Sequence, residues 1–277
     1  MTKKQLIMEK AWELFSEKGF ESTSVQQITD RCGISKGAFY LSFKTKDELI
    51  FSMIDSYMQQ FIADVDFVVR NEVEPQRILV EFYKCIFQRF NEQSQAARIF
   101  MNEQAITSDK ELFKKVHAYE TILTDTIIEM LKKCYGDKLH DTEYDLVYCI
   151  KGFLRISSEL FLFHDVPIDL DKVAHSLAEK TDILAHYMTK PFITKEVAQI
   201  AECPFSQEIS AERLIEILDS TISDLDESIE RESLILLKEQ VQQQTLSKAI
   251  IKGLIENIRH LANCKWTAYV LMKYFGL

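Results

Sequence analysis

Residues 23–46 read TSVQQITDRCGISKGAFYLSFKTK, and this stretch decides the fold. Two short helical patterns meet in it at a glycine. Thr23 is placed to cap the first, with Gln26 three residues on, and Val25, Ile28 and Thr29 share one side. The pattern stops at Cys32-Gly33, where glycine supplies a left-handed turn. Ser35 then caps a second helix that runs through Phe43. A helix of roughly eight residues, a turn of about three and a helix of roughly eight more are the dimensions of a helix-turn-helix. Upstream, Ile7, Ala11, Leu14 and Phe15 repeat at helical spacing within Lys3–Lys18, and Gly19 ends the run. Downstream, Thr45-Lys46-Asp47-Glu48 fits a capping box and opens a helix toward Phe67 through Leu49, Met53, Tyr57 and Phe61.

Beyond this the pattern stays helical. Helices are expected from Pro75, over about 95–106, from Asp109, over 143–163, over 169–188, over 211–230, and as one long run over 232–274, with a loop at 136–141. Only 7 Gly and 4 Pro punctuate 277 residues, and no segment alternates as a strand does. The expected fold class is all-α. It comprises a three-helix, helix-turn-helix unit at 1–48, a helical body at 49–190 and a helical C-terminal extension at 191–277. That extension is expected to pack on the body, with a wider dimer contact or a protein partner as the other options.

An apolar fraction of 47% is ample for a core. The longest purely apolar runs, such as 160–163 and 234–237, are far short of the roughly 20 residues a bilayer needs. The first residues show no secretory pattern, and the six cysteines form no C-x-x-C pair. A reduced, cytoplasmic protein is expected, without a membrane span. The net charge of −10 argues against nonspecific polyanion binding, yet residues 1–50 are net +1 while the rest is net −11. No nucleophile elbow, Walker A loop, dinucleotide fingerprint or zinc motif appears, so neither an enzyme nor a cofactor is expected. His175 and Glu179, four apart, are read as ordinary surface or core residues rather than metal ligands.

The chemistry of the second short helix suits duplex DNA. Lys36 and Gly37 stand at its start, and Tyr40, Leu41 and Ser42 follow, with Phe39 and Phe43 anchoring its other face. Thr23, Ser24, Lys44 and Lys46 flank the unit where a phosphate backbone would pass. From Leu6 to Ile50 the sequence resembles the N-terminal domain of the TetR/AcrR family of transcriptional regulators. The resemblance rests on Gly19, Thr23-Ser24-Val25, Ile28, Gly33, Ser35-Lys36-Gly37, Phe39-Tyr40, Phe43, Lys46 and Leu49. Later residues match that family in layout only.

The resemblance implies that Lys36, Gly37, Ala38, Tyr40, Leu41 and Ser42 face the major groove of an operator. Tyr40, Thr23, Ser24, Lys44 and Lys46 would hold phosphates. Leu41-Ser42 departs from the aromatic-His pair common in the family, so no operator sequence follows. The resemblance also implies a homodimer, and a helix apolar on two faces at 143–163 suits one. Leu146, Ile150, Gly152, Leu154, Leu177 and Leu184 are the interface candidates. It further implies a repressor released by a small-molecule effector. Phe82, Tyr83, Phe87, Phe90, Phe100, Phe113, Tyr119, Phe153 and Phe161 are candidates to line a pocket for an apolar one. The alternative is a helical interaction scaffold whose reading head is non-functional.

Overall fold

The computed structural model describes all residues except 1, 21, 73, 93, 95–109, 164–166, 168, 202–209 and 244. The helix expected near 95–106, with Phe100, lies outside the described residues, as does the side chain of Phe113. Among the described residues the regular structure is entirely helical. The head is α1 (Lys3–Lys18), α2 (Val25–Cys32) and α3 (Lys36–Tyr40). The body is α4 (Lys46–Asn71), α5 (Pro75–Glu92), α6 (Lys110–Tyr135), a 3-10 segment (Gly136–Thr142), α7 (Glu143–Phe163) and α8 (Leu170–Tyr187). Then come α9 (Lys195–Ala201), α10 (Ala211–Ser223), α11 (Ile229–Gln243), α12 (Lys248–Ile258) and α13 (Lys265–Phe275).

Local chemistry explains the boundaries, and it corrects several expectations. Ser24, not Thr23, caps α2, in a reciprocal box with Gln27. Thr23 is buried instead, and its hydroxyl donates to the Gly19 carbonyl at 2.8 Å. Helix α3 stops at Tyr40 rather than Phe43. The Ser42 amide turns back to the Phe39 carbonyl at 2.8 Å, a tighter i+3 bond that swings Phe43 into the core. The expected run 232–274 is three helices. The buried Gln240 side chain accepts the Thr245 and Leu246 amides at 2.9 and 2.7 Å, which closes α11. The stretch 211–230 likewise breaks after Ser223, and the loop expected at 136–141 is the 3-10 segment.

Two apolar clusters result. Ile7, Ala11, Leu14, Phe15, Ile28, Phe39, Phe43, Leu49 and Met53 form the head's core. The second cluster runs from Ile54 of α4 through the body and on into α10–α13. Helix α4 belongs to both: its first turns close the head, and the rest is built into the body. The C-terminal extension packs on the body, with α13 lying along α4.

Of the described cysteines, burial pushes the Cys85 thiol up to about 12 and those of Cys134 and Cys264 up to about 11. At pH 8 a thiol titrating near 11 is thiolate about one part in a thousand, so these three are expected to resist iodoacetamide in the folded protein. Mass spectrometry after brief alkylation checks this, and rapid modification of Cys85 would contradict it. No described helix is long and apolar enough to cross a membrane.

Candidate nucleic-acid interface

The reading surface is α3 and the turn behind it. Gly33 takes the left-handed conformation at φ 66°, and the Ile34 amide reaches back to the Thr29 carbonyl at 3.0 Å, so α3 leaves α2 at a fixed angle. Ser35 caps α3 by accepting the Ala38 amide at 3.2 Å. Phe39 and Phe43 are fully buried with ring centres 5.9 Å apart, and they bolt α3 to α1 and α4. The opposite face therefore points outward. On it Lys36 and Gly37 are exposed, Tyr40 is 52% exposed and Leu41 is 88% exposed. Ala38 and Ser42 are half-buried beside them. Lys44 is exposed next to this face, and Ser24 at the exposed start of α2.

Two groups picked from sequence, Lys46 and Thr23, are committed elsewhere, and so is the nearby Arg31. Lys46 folds inward, where its ammonium donates to the Phe20 and Thr23 carbonyls at 2.9 and 3.2 Å and sits 4.1 Å from the Phe20 ring centre. It staples α4 to the α1–α2 turn rather than facing a phosphate. Thr23 is buried, as described. Arg31 grips Glu17 through two bonds of 3.0 and 2.9 Å. Among the described residues Lys36 and Lys44 stay outside any ion pair, which leaves them available to a polyanion.

Residues 7–53 match the family model for bacterial regulatory proteins of the tetR family. A helix-turn-helix transcriptional regulator of Bacillus subtilis, YuxN, is 27% identical over 266 residues, 92% of this chain and 91% of that protein. The chain therefore carries a tetR-family N-terminal domain and is similar over most of its length to a helix-turn-helix transcriptional regulator. These relatives are transcriptional regulators, not enzymes. Two solved structures share this chain's fold. One is the regulator FadR of Bacillus subtilis in complex with stearoyl-CoA, with a TM-score of 0.56 and 20% identity, where 67% of this chain covers 99% of that one. The other is AibR in complex with isovaleryl coenzyme A and operator DNA, with a TM-score of 0.53 and 20% identity, covering 65% of this chain and 97% of that one. The 8% of this chain left out of the match with YuxN is too short to hold 191–277, so that relative shares most of the extension.

The remaining site candidates divide by which side of their helix they occupy. Leu146 and Ile150 are fully buried in their own subunit, and Leu154 and Leu177 nearly so, against α5 and α6. They hold the body together and are not available to a partner; Leu184 is half-buried. Gly152 is exposed, and it marks the other side of α7, where Ile156 is 59% exposed and Tyr148 and Leu160 are also uncovered. On α8, Ile183 and Tyr187 are likewise exposed, at 50% and 79%. Positions 148, 152, 156 and 160 recur every four residues, so the ridge was present in the sequence, overshadowed by the richer buried stripe.

The aromatic candidates do not share one place. Phe87, Phe90 and Phe161 form a contiguous column with ring centres 5.7–6.3 Å apart, which Phe61 and Tyr57 of α4 extend. Phe82 and Tyr83 are fully buried, with the Tyr83 hydroxyl 2.7 Å from that of Thr181. Phe153 is half-buried and enters none of these ring contacts. Tyr119 lies apart, against Trp266, with its hydroxyl donating to Asp55. Among the described residues, the hydroxyls of Tyr57 and Ser158 are buried without a hydrogen-bond partner. Among the described residues no group of His, Cys, Asp and Glu gathers as a metal site.

Proposed function

We propose that this regulator is a cytoplasmic, homodimeric repressor that reads two half-sites of a palindromic operator and is released by a small, largely apolar effector. The observation that carries the reading is the pairing of two unpartnered surfaces on one subunit. One is the cationic face of α3, with Lys36, Gly37, Ala38, Tyr40, Leu41, Ser42 and the adjoining Lys44 and Ser24. The other is the apolar ridge of α7 and α8. A two-fold axis through the ridge gives two heads a common side and fixes their spacing. Thr23 and Lys46 shape the head rather than touch DNA. Leu41, apolar and outermost, suits contact with a thymine methyl, the one apolar group in the major groove.

The effector reading is supported by the column Tyr57–Phe61–Phe90–Phe87–Phe161, whose Tyr57 hydroxyl is buried and, among the described residues, unpaired. A buried hydroxyl without a partner costs about 1–3 kcal/mol, which a polar group on an apolar ligand would recover. The two fold neighbours bind stearoyl-CoA and isovaleryl-CoA, so acyl-CoA thioesters are the first ligands to assay.

Selection of duplexes from a random pool, followed by gel shifts at several salt concentrations, tests the reading. Retention is expected to be sequence-selective and to weaken steeply with salt. Replacing both Lys36 and Lys44 by Ala is expected to weaken binding to all duplexes alike. It should lower the slope of log K against log salt by about two per head. An acyl-CoA is expected to lower the affinity for the selected duplex. No selective retention under any condition would overturn the reading in favour of the interaction scaffold.

A further inference from the structure

The C-terminal half of α4 is held from three sides, and the extension supplies one of them. Asp64, buried in α4, receives Arg89 from α5 and Lys265 from the first turn of α13. The Phe67 ring, one turn on, is surrounded by cations and an edge: the Lys265 ammonium is 5.0 Å from its centre, the Arg259 guanidinium 5.3 Å and the His260 ring 5.7 Å. Arg70 joins Asp66 at 2.9 Å to Glu129 of α6 and to the Leu277 carbonyl, both at 3.4 Å.

The grip also reaches toward the head. Trp266 of α13 meets Tyr119 in a T-shaped contact with centres 5.9 Å apart, and Tyr119 donates to Asp55, about two and a half turns of α4 before Asp64. Lys115 closes the same node at 2.7 Å. Helix α13 is in turn fixed to the rest of the extension, by Thr267 on Thr221 at 2.8 Å and by Lys248 on the Gly276 carbonyl at 3.2 Å. A cleft of about 330 Å³ opens along the α4–α5–Lys265 seam.

Helix α4 is one unbroken rod whose start lies in the head's core and whose remainder lies in the body's. Whatever sets its position in the body sets the position of the reading face. We propose that α13 is a strap that positions α4, so that the C-terminal extension controls how far the reading head can swing. Lys265 and Trp266 are its positioning residues, and they act through Asp64, Phe67 and the Asp55 node. The grip stands independently of any ligand. Its consequence for DNA rests on the reading proposed above.

Hydrogen exchange of the full chain tests this. In Lys265→Met, Asp64 keeps Arg89 while the strap loses its cation on both Asp64 and Phe67. Amides of residues 50–63 are expected to exchange at least about tenfold faster, those of α11 and α12 to stay unchanged, and Lys265→Arg to restore protection. Faster exchange confined to 265–275, with 50–63 unchanged, would overturn the proposal and leave α13 as local packing. If Lys265→Met loses protection everywhere, Arg259→Gln, which removes one cation from Phe67 and spares Asp64, is read by the same two criteria. A second arm measures affinity for a duplex selected with the wild type, expected to shift about fivefold or more in Lys265→Met. If the wild type selects no duplex, the DNA reading fails while the exchange result still decides the strap.

Discussion

Replacing Ile156 by Asp is expected to give a folded monomer in place of a dimer. Ile156 lies midway along the α7 ridge, 59% exposed in the single subunit, with Gly152 and Leu160 one turn to either side. In a two-fold interface the substitution appears twice near the axis, and each carboxylate must enter an apolar contact without a partner. An uncompensated charge there costs about 3–5 kcal/mol. That is at least two to three orders of magnitude in the dissociation constant, enough to separate subunits at micromolar concentration. Because the side chain is outside the subunit's own core, thermal stability of the monomer is expected to change little. Leu146→Ala should do the reverse. It opens a cavity behind a fully buried side chain at a cost of about 2–5 kcal/mol per subunit and leaves the ridge intact. Sedimentation velocity with thermal melts of both variants separates the two. A dimeric Ile156→Asp protein would move the interface away from α7. DNA binding supplies a further readout, because a monomer reaches one half-site only and loses most of its selectivity.

The contrast between these two variants marks where sequence reading stopped. The head was legible because its main features have a local cause: Gly33 for the left-handed turn, Ser35 for the α3 cap, Phe39 and Phe43 for the buried side; the α2 cap lies one residue beyond the expected Thr23-x-x-Gln26, at Ser24-x-x-Gln27. Even there, the type of Thr23 and Lys46 suits a phosphate ligand while their fold gives them other work. Their actual partners, the carbonyls of Gly19 and of Phe20 and Thr23, are set by tertiary packing that spacing does not reveal. On α7 the period was clear but the direction was not. A helix apolar on two sides gives no local sign of which side meets its own body, and the more strongly apolar stripe proved to be the inner one. The run 232–274 was legible as helical but not as three separate helices, since the stop after α11 depends on the side chain of Gln240 folding onto later amides.

The second large effect belongs to Phe39. Its ring is fully buried where α3 meets α1 and α4, edge-on to Tyr40 and in contact with Phe43. Truncation to Ala removes about 3–5 kcal/mol from a cluster of nine buried residues that is small and largely separate from the body's core. A unit that size has little stability to spare, so the head is expected to unfold while α5–α13 stay folded. Thermal unfolding should then show a low-temperature step absent from the wild type, with loss of DNA binding and retention of the dimer. Tyr40→Phe is the necessary companion. It removes a hydroxyl from a side chain that is 52% exposed, so the melting curve should not move, and only DNA affinity should fall. Loss of binding in Phe39→Ala alone reports folding of the head. Loss in Tyr40→Phe with an unchanged melt reports the reading face itself. Equal affinity of Tyr40→Phe and wild type for every duplex would remove the Tyr40 hydroxyl from the interface and leave Lys36 and Lys44 to hold the backbone.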